Sequence, residues 1–372
     1  MPGHVLITGG AGFIGSHLAD ELLRHGYRVR VLDNLSTQVH GPNAQRPDYL
    51  ASDAELIVGD VRDAVAVRKA LHGVDAVYHF ASVVGVGQSM YEIERYTDVN
   101  NRGTAVLLEA LIEHPVARLV VASSMSIYGE GLYRGPDGAE VECVERNKDQ
   151  FTRGEWEPHG PDGEALVPVA TPESKRPVLA SVYALSKYDQ ERLCLMIGDA
   201  YKIPATALRF FNVYGTRQAL SNPYTGVLAI FASRLLNNNA PCVFEDGEQR
   251  RDFVSVLDVA RACRLALESD DAVGRAINVG SGHSYTIREI AGRMSQVMGK
   301  EYIEPEITGK YRVGDIRHCF ADISLARALL GYEPQIEFDA GLTELADWLA
   351  GQSSEDRVDE ARAELAARGL TV

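Results

Sequence analysis

The chain has 372 residues and a formal net charge of −15, and it is 45% hydrophobic, which is an ordinary globular composition. The acidic charge argues against general nucleic-acid binding, and an anionic substrate would need local arginines. No apolar run is long enough to cross a membrane and no cleavable signal pattern is recognisable, so we expect no membrane partner and a cytoplasmic protein. The five cysteines are widely spaced without a CxxC pair, which fits buried thiols better than disulfides.

The N-terminal segment has the pattern of a dinucleotide-binding unit. A strand over 5–8 precedes a glycine-rich turn over 9–15, a helix that ends at Gly26, and a second strand over 28–32. Glycines let the backbone approach a pyrophosphate, and the helix N-terminus supplies N–H donors. Asp33 can accept hydrogen bonds from both ribose hydroxyls and would repel a 2′-phosphate, which favours NAD over NADP. The predicted cofactor contacts are Gly9, Gly12, Phe13, Ile14, Gly15, Asp33 and Asn34. The alternative is a strand–helix turn that needs glycine only for packing.

Strands and helices continue to alternate through the next hundred or so residues, in the manner of α/β folds. Strands are predicted over 55–58, 76–81 and 119–122, and a long helix over 92–114. This order predicts a Rossmann-like, doubly wound parallel sheet with ligands at the carboxyl ends of its strands. Asp60 and Val61 follow the strand over 55–58, and the Asp60 carboxylate could accept from an adenine amino group. Capping of the following helix is the alternative role for Asp60.

Two short motifs predict proton-transfer chemistry. Tyr183 lies four residues before Lys187 on a predicted helix, so both side chains share one face. An ammonium beside a phenol favours the phenolate, which can then act as a base near neutral pH. Ser124 lies at the end of the strand over 119–122, where its hydroxyl could bond both a substrate hydroxyl and the Tyr183 phenol. A chance YxxxK match and a serine that only caps a turn are the alternatives.

Residues 129–177 interrupt the alternation and are predicted to form an insertion or long loop. They contain two Gly-Pro-Asp-Gly turns, over 135–138 and 160–163. Paired turns of this kind occur in zinc ribbons, but these have glycine where cysteine would be needed. We therefore predict no metal here.

The composition changes after the predicted strand over 205–211, where Asn and Pro become more frequent. We predict an NAD-binding domain over 1–211, a substrate-binding lobe over 212–350, and a charged, solvent-exposed helix or tail over 351–372. Residues 277–279 are expected to return a strand to the large sheet. The candidate phosphate-binding arginines are Arg217, Arg250, Arg251 and Arg317, for each of which a surface salt bridge is the alternative.

Taken together, these features resemble the extended short-chain dehydrogenase/reductase family, in particular its NAD-dependent nucleotide-sugar epimerases and dehydratases. The likeness covers residues 1–130 and 178–350. Its motifs are Thr8 to Gly15, Gly59 to Asp63, Ser123 to Gly129, Tyr183 to Lys187, Arg209 to Gly215 and Arg251 to Val254.

The resemblance implies roles for individual residues. It implies Ser124, Tyr183 and Lys187 as the catalytic set, and it places Phe80, Ala81, Ser82 and Asn100 at or near the cofactor. It implies substrate contacts from Ser89, Met125, Ser126, Asn212, Arg217, Arg251 and Arg317. It also implies a homodimer formed by the helices near 92–113 and 183–202. The loop over 85–90 and the insertion look like those of a dTDP-L-rhamnose 4-epimerase subgroup, while UDP-hexoses and UDP-uronic acids stay open.

One departure from the family pattern favours epimerisation over elimination. The dehydratases have an Asp-Glu pair directly after the catalytic hydroxyl, where this chain has Met125-Ser126. The implied reaction is transient oxidation at sugar C4: the Tyr183 phenolate takes the hydroxyl proton, hydride passes to NAD, and hydride returns to the opposite face of the 4-keto sugar. Lys187 would stabilise the phenolate and Ser124 would orient the hydroxyl. The alternatives are a net nucleotide-sugar oxidoreductase or decarboxylase, and a non-catalytic NAD-responsive binding module.

Overall fold

The computed structural model describes residues 3–42, 44–142, 146, 148–224 and 226–371, and a seven-stranded parallel sheet is its largest element. The strands in chain order are β1 (His4–Thr8), β2 (Arg28–Asp33), β3 (Glu55–Val58), β4 (Ala76–His79), β5 (Arg118–Ser124), β6 (Leu132–Arg134), β7 (Glu140–Val141), β8 (Val167–Val169), β9 (Ala205–Phe210), β10 (Asn212–Tyr214), β11 (Cys242–Val243), β12 (Arg250–Arg251), β13 (Phe253–Ser255), β14 (Ala276–Val279), β15 (Tyr285–Thr286), β16 (Glu306–Ile307) and β17 (His318–Cys319). The large sheet has the order β14-β9-β5-β4-β1-β2-β3, so the predicted doubly wound sheet and the returning strand over 277–279 are both confirmed.

Helices cover both faces of this sheet. The helices in chain order are α1 (Phe13–Arg24), α2 (Thr37–His40), α3 (Ala64–Leu71), α4 (Val86–Ser89), α5 (Ile93–Tyr96), α6 (Gly103–Glu113), α7 (Lys148–Thr152), α8 (Val182–Tyr201), α9 (Val227–Leu236), α10 (Val256–Glu268), α11 (Ile287–Val297), α12 (Ser324–Leu330), α13 (Phe338–Leu349) and α14 (Val358–Ala367). In β1, Val5 and Ile7 pack into the core beneath α1 and α10, whereas Leu6 packs into the core beneath α3, α6 and α8. A strand covered on both faces needs a continuous apolar sequence, which β1 has.

The long helix predicted over 92–114 is present but is not uniform. A π-helical stretch, Thr97–Arg102, joins α5 to α6. Asn100 lies in this stretch, and its amide accepts from the Val83 N–H at 2.7 Å and donates to the Val83 carbonyl at 3.1 Å. The wider helical turn therefore holds a side chain that fixes the loop after β4.

The insertion is more ordered than the predicted loop. Strands β6, β7 and β8 form a small antiparallel sheet, and the turn over 135–138 joins β6 to β7. The strands are only two or three residues long, so alternating apolar positions are too few to predict them.

The C-terminal lobe is built from short strand pairs around a separate hydrophobic core. The pairs are β10 with β13, β11 with β16, and β12 between β15 and β17. Apolar faces of α9, α11 and α13 fill the core between them. None of the helices in the described ranges is long and apolar enough to span a membrane.

A buried ion cluster attaches the insertion to this lobe. The Arg317 side chain is 1% exposed, and its guanidinium donates to Glu157 at 2.5 Å, Glu245 at 2.8 Å and Asp246 at 2.6 Å. Arg146 of the insertion also donates to Glu245, at 2.8 Å. Three carboxylates thus share one buried cation, and one of them binds the insertion through a second arginine.

We predict that Arg317→Met lowers the free energy of unfolding by about 3–5 kcal/mol, because it removes the guanidinium from Glu157 and Asp246 and leaves Glu245 with Arg146 alone. Chemical denaturation measures the change. The control is Arg134→Met in the same insertion, whose ion pair with Glu140 is more than half exposed and should matter little. Equal stability of the two variants would contradict a structural role for the cluster.

Candidate active site

A cavity of about 880 Å³ opens where the carboxyl ends of the parallel strands meet the C-terminal lobe. The glycine-rich turn, the Ser124 region and the start of α8 form one side, and residues of α9, β11, β12 and α14 form the other. Ligands in doubly wound folds bind at this edge of the sheet.

The glycine-rich turn is shaped as a cradle for an anionic group. Gly9 has φ of 71°, and a Cβ there would lie 2.8 Å from the Ala81 nitrogen. A Cβ on Gly15 would lie 2.6 Å from the Gly9 carbonyl oxygen. Helix α1 begins at Phe13 with neither a side-chain cap nor an acidic residue in its first turn. Its first N–H groups and the positive end of its dipole therefore face the cavity, as pyrophosphate binding requires.

Two carboxylates line the part of the cavity next to the glycine-rich turn. Asp33 accepts from the Ala11 N–H at 3.0 Å and from the Leu35 N–H at 2.9 Å, which fixes its orientation at the end of β2. The Arg62 guanidinium and backbone N–H hold the pKa of Asp60 well below its usual range. Asp63, not Asp60, caps α3 through the Val65 N–H, so helix capping does not explain Asp60.

The Tyr183 hydroxyl is placed by contacts at the start of α8. Ser181 caps this helix by accepting from the Ala184 N–H at 3.1 Å, and the Ser89 hydroxyl accepts from the Tyr183 N–H at 3.0 Å. Burial raises the pKa of Tyr183 above its ordinary value, and it outweighs a hydrogen bond from Ser124 that acts to lower that pKa. Ser124 and Tyr183 are thus brought together as predicted.

Lys187 is buried one helical turn further along α8. Its ammonium donates to the Gln190 side-chain oxygen at 2.8 Å, and burial lowers its pKa to about 8. Gln190 in turn donates to Thr104 at 2.9 Å, and Thr104 lies 2.8 Å from the ring of His79. Burial and the Lys187 charge lower the pKa of His79 to about 3, so this ring is neutral.

Three arginines line the cavity on the side of the C-terminal lobe, namely Arg251, Arg312 and Arg362. Arg251 donates to the backbone carbonyls of Ile316 at 2.5 Å and Arg317 at 2.8 Å, and burial lowers its pKa. Arg312 lies over the Phe244 ring at 5.2 Å and pairs with Asp315 at 2.8 Å. The sequence reasoning missed Arg312. The sequence feature that could have indicated Arg312 is the glycine two residues later. In the structure this residue, Gly314, lies in a turn with φ of 87°.

Most of the predicted contact residues line this cavity. They are Gly9, Gly12, Phe13, Ile14, Gly15, Asp33, Asn34, Asp60, Val61, Phe80, Ala81, Ser82, Ser124, Met125, Ser126, Tyr183, Lys187, Asn212 and Arg251. Five others are not among the lining residues. Ser89 and Asn100 lie behind the wall, where Ser89 supports Tyr183 and Asn100 supports the Val83 backbone and Ser186.

The other three residues outside the wall are arginines that were expected to bind phosphate, and one of them, Arg250, is exposed. Arg217 pairs with Asp20 at 2.7 Å and lies over the Tyr49 ring. Arg317 is enclosed by the carboxylates of the ion cluster, so it has no face left for a diphosphate. These phosphate-binding predictions are corrected, because none of the three side chains lines the cavity.

The C-terminal tail is also placed differently from its prediction. Val358, Ala361 and Leu365 of α14 are buried, and together with Arg362 they line the cavity. The prediction of a solvated surface helix was therefore wrong. The three buried residues form a narrow apolar stripe at i, i+3 and i+7, which is hard to recognise among so many charged residues.

Carboxylates that could serve as a free general acid or base are scarce in this wall. Among the lining residues that the structure describes, the acidic ones are Asp33, Asp60 and Asp315. Each accepts hydrogen bonds or an ion pair from a neighbour already described. Within the described part of the chain, no group of three or more His, Cys, Asp and Glu side chains could hold a metal ion.

Comparisons with known proteins show the family to which the chain is similar. Residues 5–148 and 159–280 match the NAD dependent epimerase/dehydratase family. A dTDP-L-rhamnose 4-epimerase from Burkholderia thailandensis is 36% identical over 350 residues, which cover 93% of this chain and 94% of that protein.

Solved structures give the same picture. A UDP-glucose 4-epimerase from Thermotoga maritima with UDP-glucose has a TM-score of 0.76 at 30% identity and covers 93% of this chain and 98% of its own. A UDP-glucose 4-epimerase from Thermus thermophilus in complex with NAD has a TM-score of 0.73 at 30% identity and covers 94% of this chain and 99% of its own.

We predict that Lys187→Met makes the protein more stable by about 1–3 kcal/mol at pH 7, because it removes a buried, mostly protonated amine. The folded-state pKa of about 8 lies below the ordinary 10.5, so the cost of burying the charge is complete below pH 8. It is relieved as pH rises from 8 to 10.5, and the gain of the variant should shrink over that window.

Chemical denaturation of both proteins at several pH values, without added cofactor, measures this difference. Lys69→Met, at an exposed lysine of α3, is the matched control and should show no such dependence. A Lys187→Met variant less stable than the wild type at pH 7 would show that the ammonium is well compensated in the fold.

Proposed function

The chain belongs to the NAD dependent epimerase/dehydratase family, and from that premise we propose that it is a nucleotide-sugar 4-epimerase. The predicted family resemblance, the Rossmann-like α/β fold and the dependence on NAD are confirmed by the family match and by the solved structures. The glycine turn, the start of α1 and the Asp33 carboxylate also fit a dinucleotide with an unphosphorylated ribose.

One observation carries the proposal above the others. The Ser124–Tyr183 pair shares a single cavity with the glycine-rich turn, and the acidic lining residues are all engaged elsewhere. A site of this kind can remove a hydroxyl proton beside a hydride acceptor. It has no spare carboxyl group next to Ser124 to protonate a departing hydroxyl, since Met125 and Ser126 follow. Oxidation and reduction at one carbon are therefore favoured over elimination.

Tyr183, Ser124 and Lys187 have separate roles in the proposed reaction. Tyr183 removes the proton from the sugar's 4-hydroxyl, and Ser124 orients that hydroxyl. Lys187 lies on the same helix face and favours the phenolate form of Tyr183 once the site is filled. NAD, held by the glycine-rich turn and Asp33, would supply the acceptor for the hydride from C4 and the donor for its return to the opposite face. Because burial alone raises the Tyr183 pKa, the phenolate depends on positive charge in the loaded site.

The diphosphate is assigned to the guanidinium pair Arg251 and Arg312. The Arg251 guanidinium is held by carbonyl groups, and Arg312 keeps one face toward the cavity beside Phe244. Asn212, at the start of β10, lies in the wall of the same cavity. Because the relative from Burkholderia thailandensis is named for a dTDP sugar, dTDP-6-deoxyhexoses come first among substrates to test, followed by UDP-hexoses.

Arg312→Met should weaken binding of UDP and dTDP by about tenfold or more, because it removes a charge-assisted contact to the diphosphate. The matched control is Arg217→Met, since Arg217 lies outside the wall and pairs with Asp20. Calorimetric titration with each nucleotide measures both. Equal losses in the two variants would indicate a general electrostatic effect and would contradict the assignment to Arg312.

We also propose that the protein is a homodimer in a reducing, cytoplasmic setting. Ile93 of α5 and Leu185 and Met196 of α8 are each more than half exposed, which leaves an apolar surface on these helices. Cys194, Cys242, Cys263 and Cys319 are free and buried, which fits a reducing setting.

Leu185→Glu combined with Met196→Glu should convert a dimer to a monomer, because it places charges in the exposed apolar surface of α8. Sedimentation velocity measures the change, and an unchanged dimer would place the interface elsewhere.

Tyr183→Phe should bind the sugar nucleotide as the wild type does but lose at least about a hundredfold in kcat, because general acid–base catalysis contributes at least that much. The measurement is interconversion of C4 epimers on a panel of dTDP and UDP sugars, followed by proton NMR. Unchanged turnover would remove Tyr183 from the mechanism. Accumulation of stoichiometric NADH or release of CO2 by the wild type would move the assignment to a net oxidoreductase or decarboxylase, and no turnover on any sugar would favour a binding module.

A further inference from the structure

The C-terminal strap, defined here as residues 354–371, lies across the substrate end of the cavity. Its helix α14 presents Val358, Ala361 and Leu365 inward, and these side chains are at most 9% exposed. Ala361 and Leu365 both line the cavity. The family match ends at residue 280, so the strap lies outside the part of the chain that defines the family.

Contacts at both ends hold the strap in this position. At its start, Arg234 of α9 pairs with Asp356 at 3.3 Å and Asp359 at 2.8 Å, and the Arg234 side chain is only 7% exposed. At its end, Thr371 forms a β-bridge with Arg312, and the Val313 N–H donates to the Leu370 carbonyl at 2.9 Å. The strap is therefore tied both to α9 and to the turn that carries a cavity guanidinium.

The middle of the strap touches the other side of the cavity mouth. The Arg368 guanidinium lies 4.5 Å from the centre of the Tyr91 ring. A Cβ added to Gly87 would lie 3.4 Å from a Leu365 methyl group and 3.9 Å from the Arg312 Cδ. Leu365 and Arg312 therefore approach the same point of the loop after β4. The strap bridges the two halves of the cavity rather than covering one of them.

The position of Arg312 indicates which part of a ligand the strap meets. This guanidinium lies over the Phe244 ring, and the Arg312 Cδ lies near the same point beside Gly87 as a Leu365 methyl group. A sugar nucleotide with its sugar at Tyr183 and its diphosphate at Arg312 must continue past the guanidinium with its nucleoside. The wall available there consists of Cys242, Phe244 and the inward residues of α14. Apart from Arg362 these side chains are apolar, and an apolar surface suits the face of a pyrimidine base.

We propose that the C-terminal strap forms the nucleoside-binding wall of the substrate site and that Ala361 and Leu365 are specificity-determining residues in it. This inference rests on the proposed function, because it takes a nucleoside diphosphate sugar as the ligand. The small side chain of Ala361 leaves room for the base, and Leu365 packs beside it. Arg362 pairs with Glu306 of β16 and keeps this face of α14 turned inward.

The test compares two alanine-to-leucine substitutions in α14, which add the same atoms at different positions. Ala361→Leu fills the cavity wall, whereas Ala366→Leu adds its atoms at an exposed position of α14. Calorimetric titration with UDP and with dTDP gives the dissociation constants, and absorbance after denaturation gives the NAD content. Ala361→Leu should weaken the tighter-binding nucleotide by about tenfold or more, the scale of overfilling a pocket. Ala366→Leu should bind as the wild type does, and both variants should carry the same NAD content as the wild type.

A second variant covers a failure of Ala361→Leu to fold. Leu365→Ala removes atoms from the same wall and should also weaken nucleotide binding, with NAD content unchanged. Wild-type affinity in Ala361→Leu or Leu365→Ala would overturn the inference, and so would a wild-type protein that binds neither nucleotide. If the wild type binds UDP or dTDP but epimerises no sugar, the proposed function fails while the strap can still be tested. If it epimerises and the strap variants bind normally, only the strap inference fails.

Discussion

The parallel alignment of the large sheet is the constraint on which the rest of this molecule depends. Because its strands all run in one direction, the loops that follow β1, β2, β4 and β5 meet at one edge. The glycine-rich turn, Asp33 and Ser124 follow different strands and become neighbours only for this reason. Both faces of the sheet are covered by helices, so its register is fixed by apolar side chains on two sides.

Local charge in the site runs against the charge of the whole chain. The protein carries −15, yet six cationic residues and three acidic ones line the described cavity wall. An anionic ligand is therefore attracted only once it is near the site, where walls of low dielectric strengthen the interaction. Burying positive charge costs stability, and this cost arises at Lys187, whose ammonium is buried with Gln190 as its hydrogen-bond partner. A functional cation held at a cost to stability is typical of catalytic sites.

The sequence was most informative where structure is long and periodic. Strands β1 to β5, helix α1 and helix α8 follow from apolar spacing and glycine placement, and so do Ser124 and Tyr183 at the ends of such elements. The sheet of the insertion was beyond reach, because strands of two or three residues have no periodicity to detect. The burial of individual side chains was also beyond reach, because tertiary contacts between distant parts of the chain determine it.

Two misplacements show what local sequence lacks. Arg317 and Arg312 lie five residues apart, and only the fold decides that one carboxylate of the insertion and two of the C-terminal lobe enclose the first while the second faces the cavity. In α14, three apolar positions among many charges resemble a surface helix. Its burial depends on Arg234 and the turn at Val313, which are distant in sequence.

The most direct test of the central claim follows the hydrogen at sugar C4. Wild-type protein, without added NAD, is incubated with a dTDP or UDP sugar that carries deuterium at C4, and proton NMR records both epimers. The account predicts that the C4 epimers interconvert and that deuterium stays at C4, because hydride leaves and returns within one closed site. Interconversion with loss of deuterium to solvent would contradict transient oxidation at C4, and so would accumulation of reduced cofactor in proportion to the sugar consumed in a parallel incubation with added NAD.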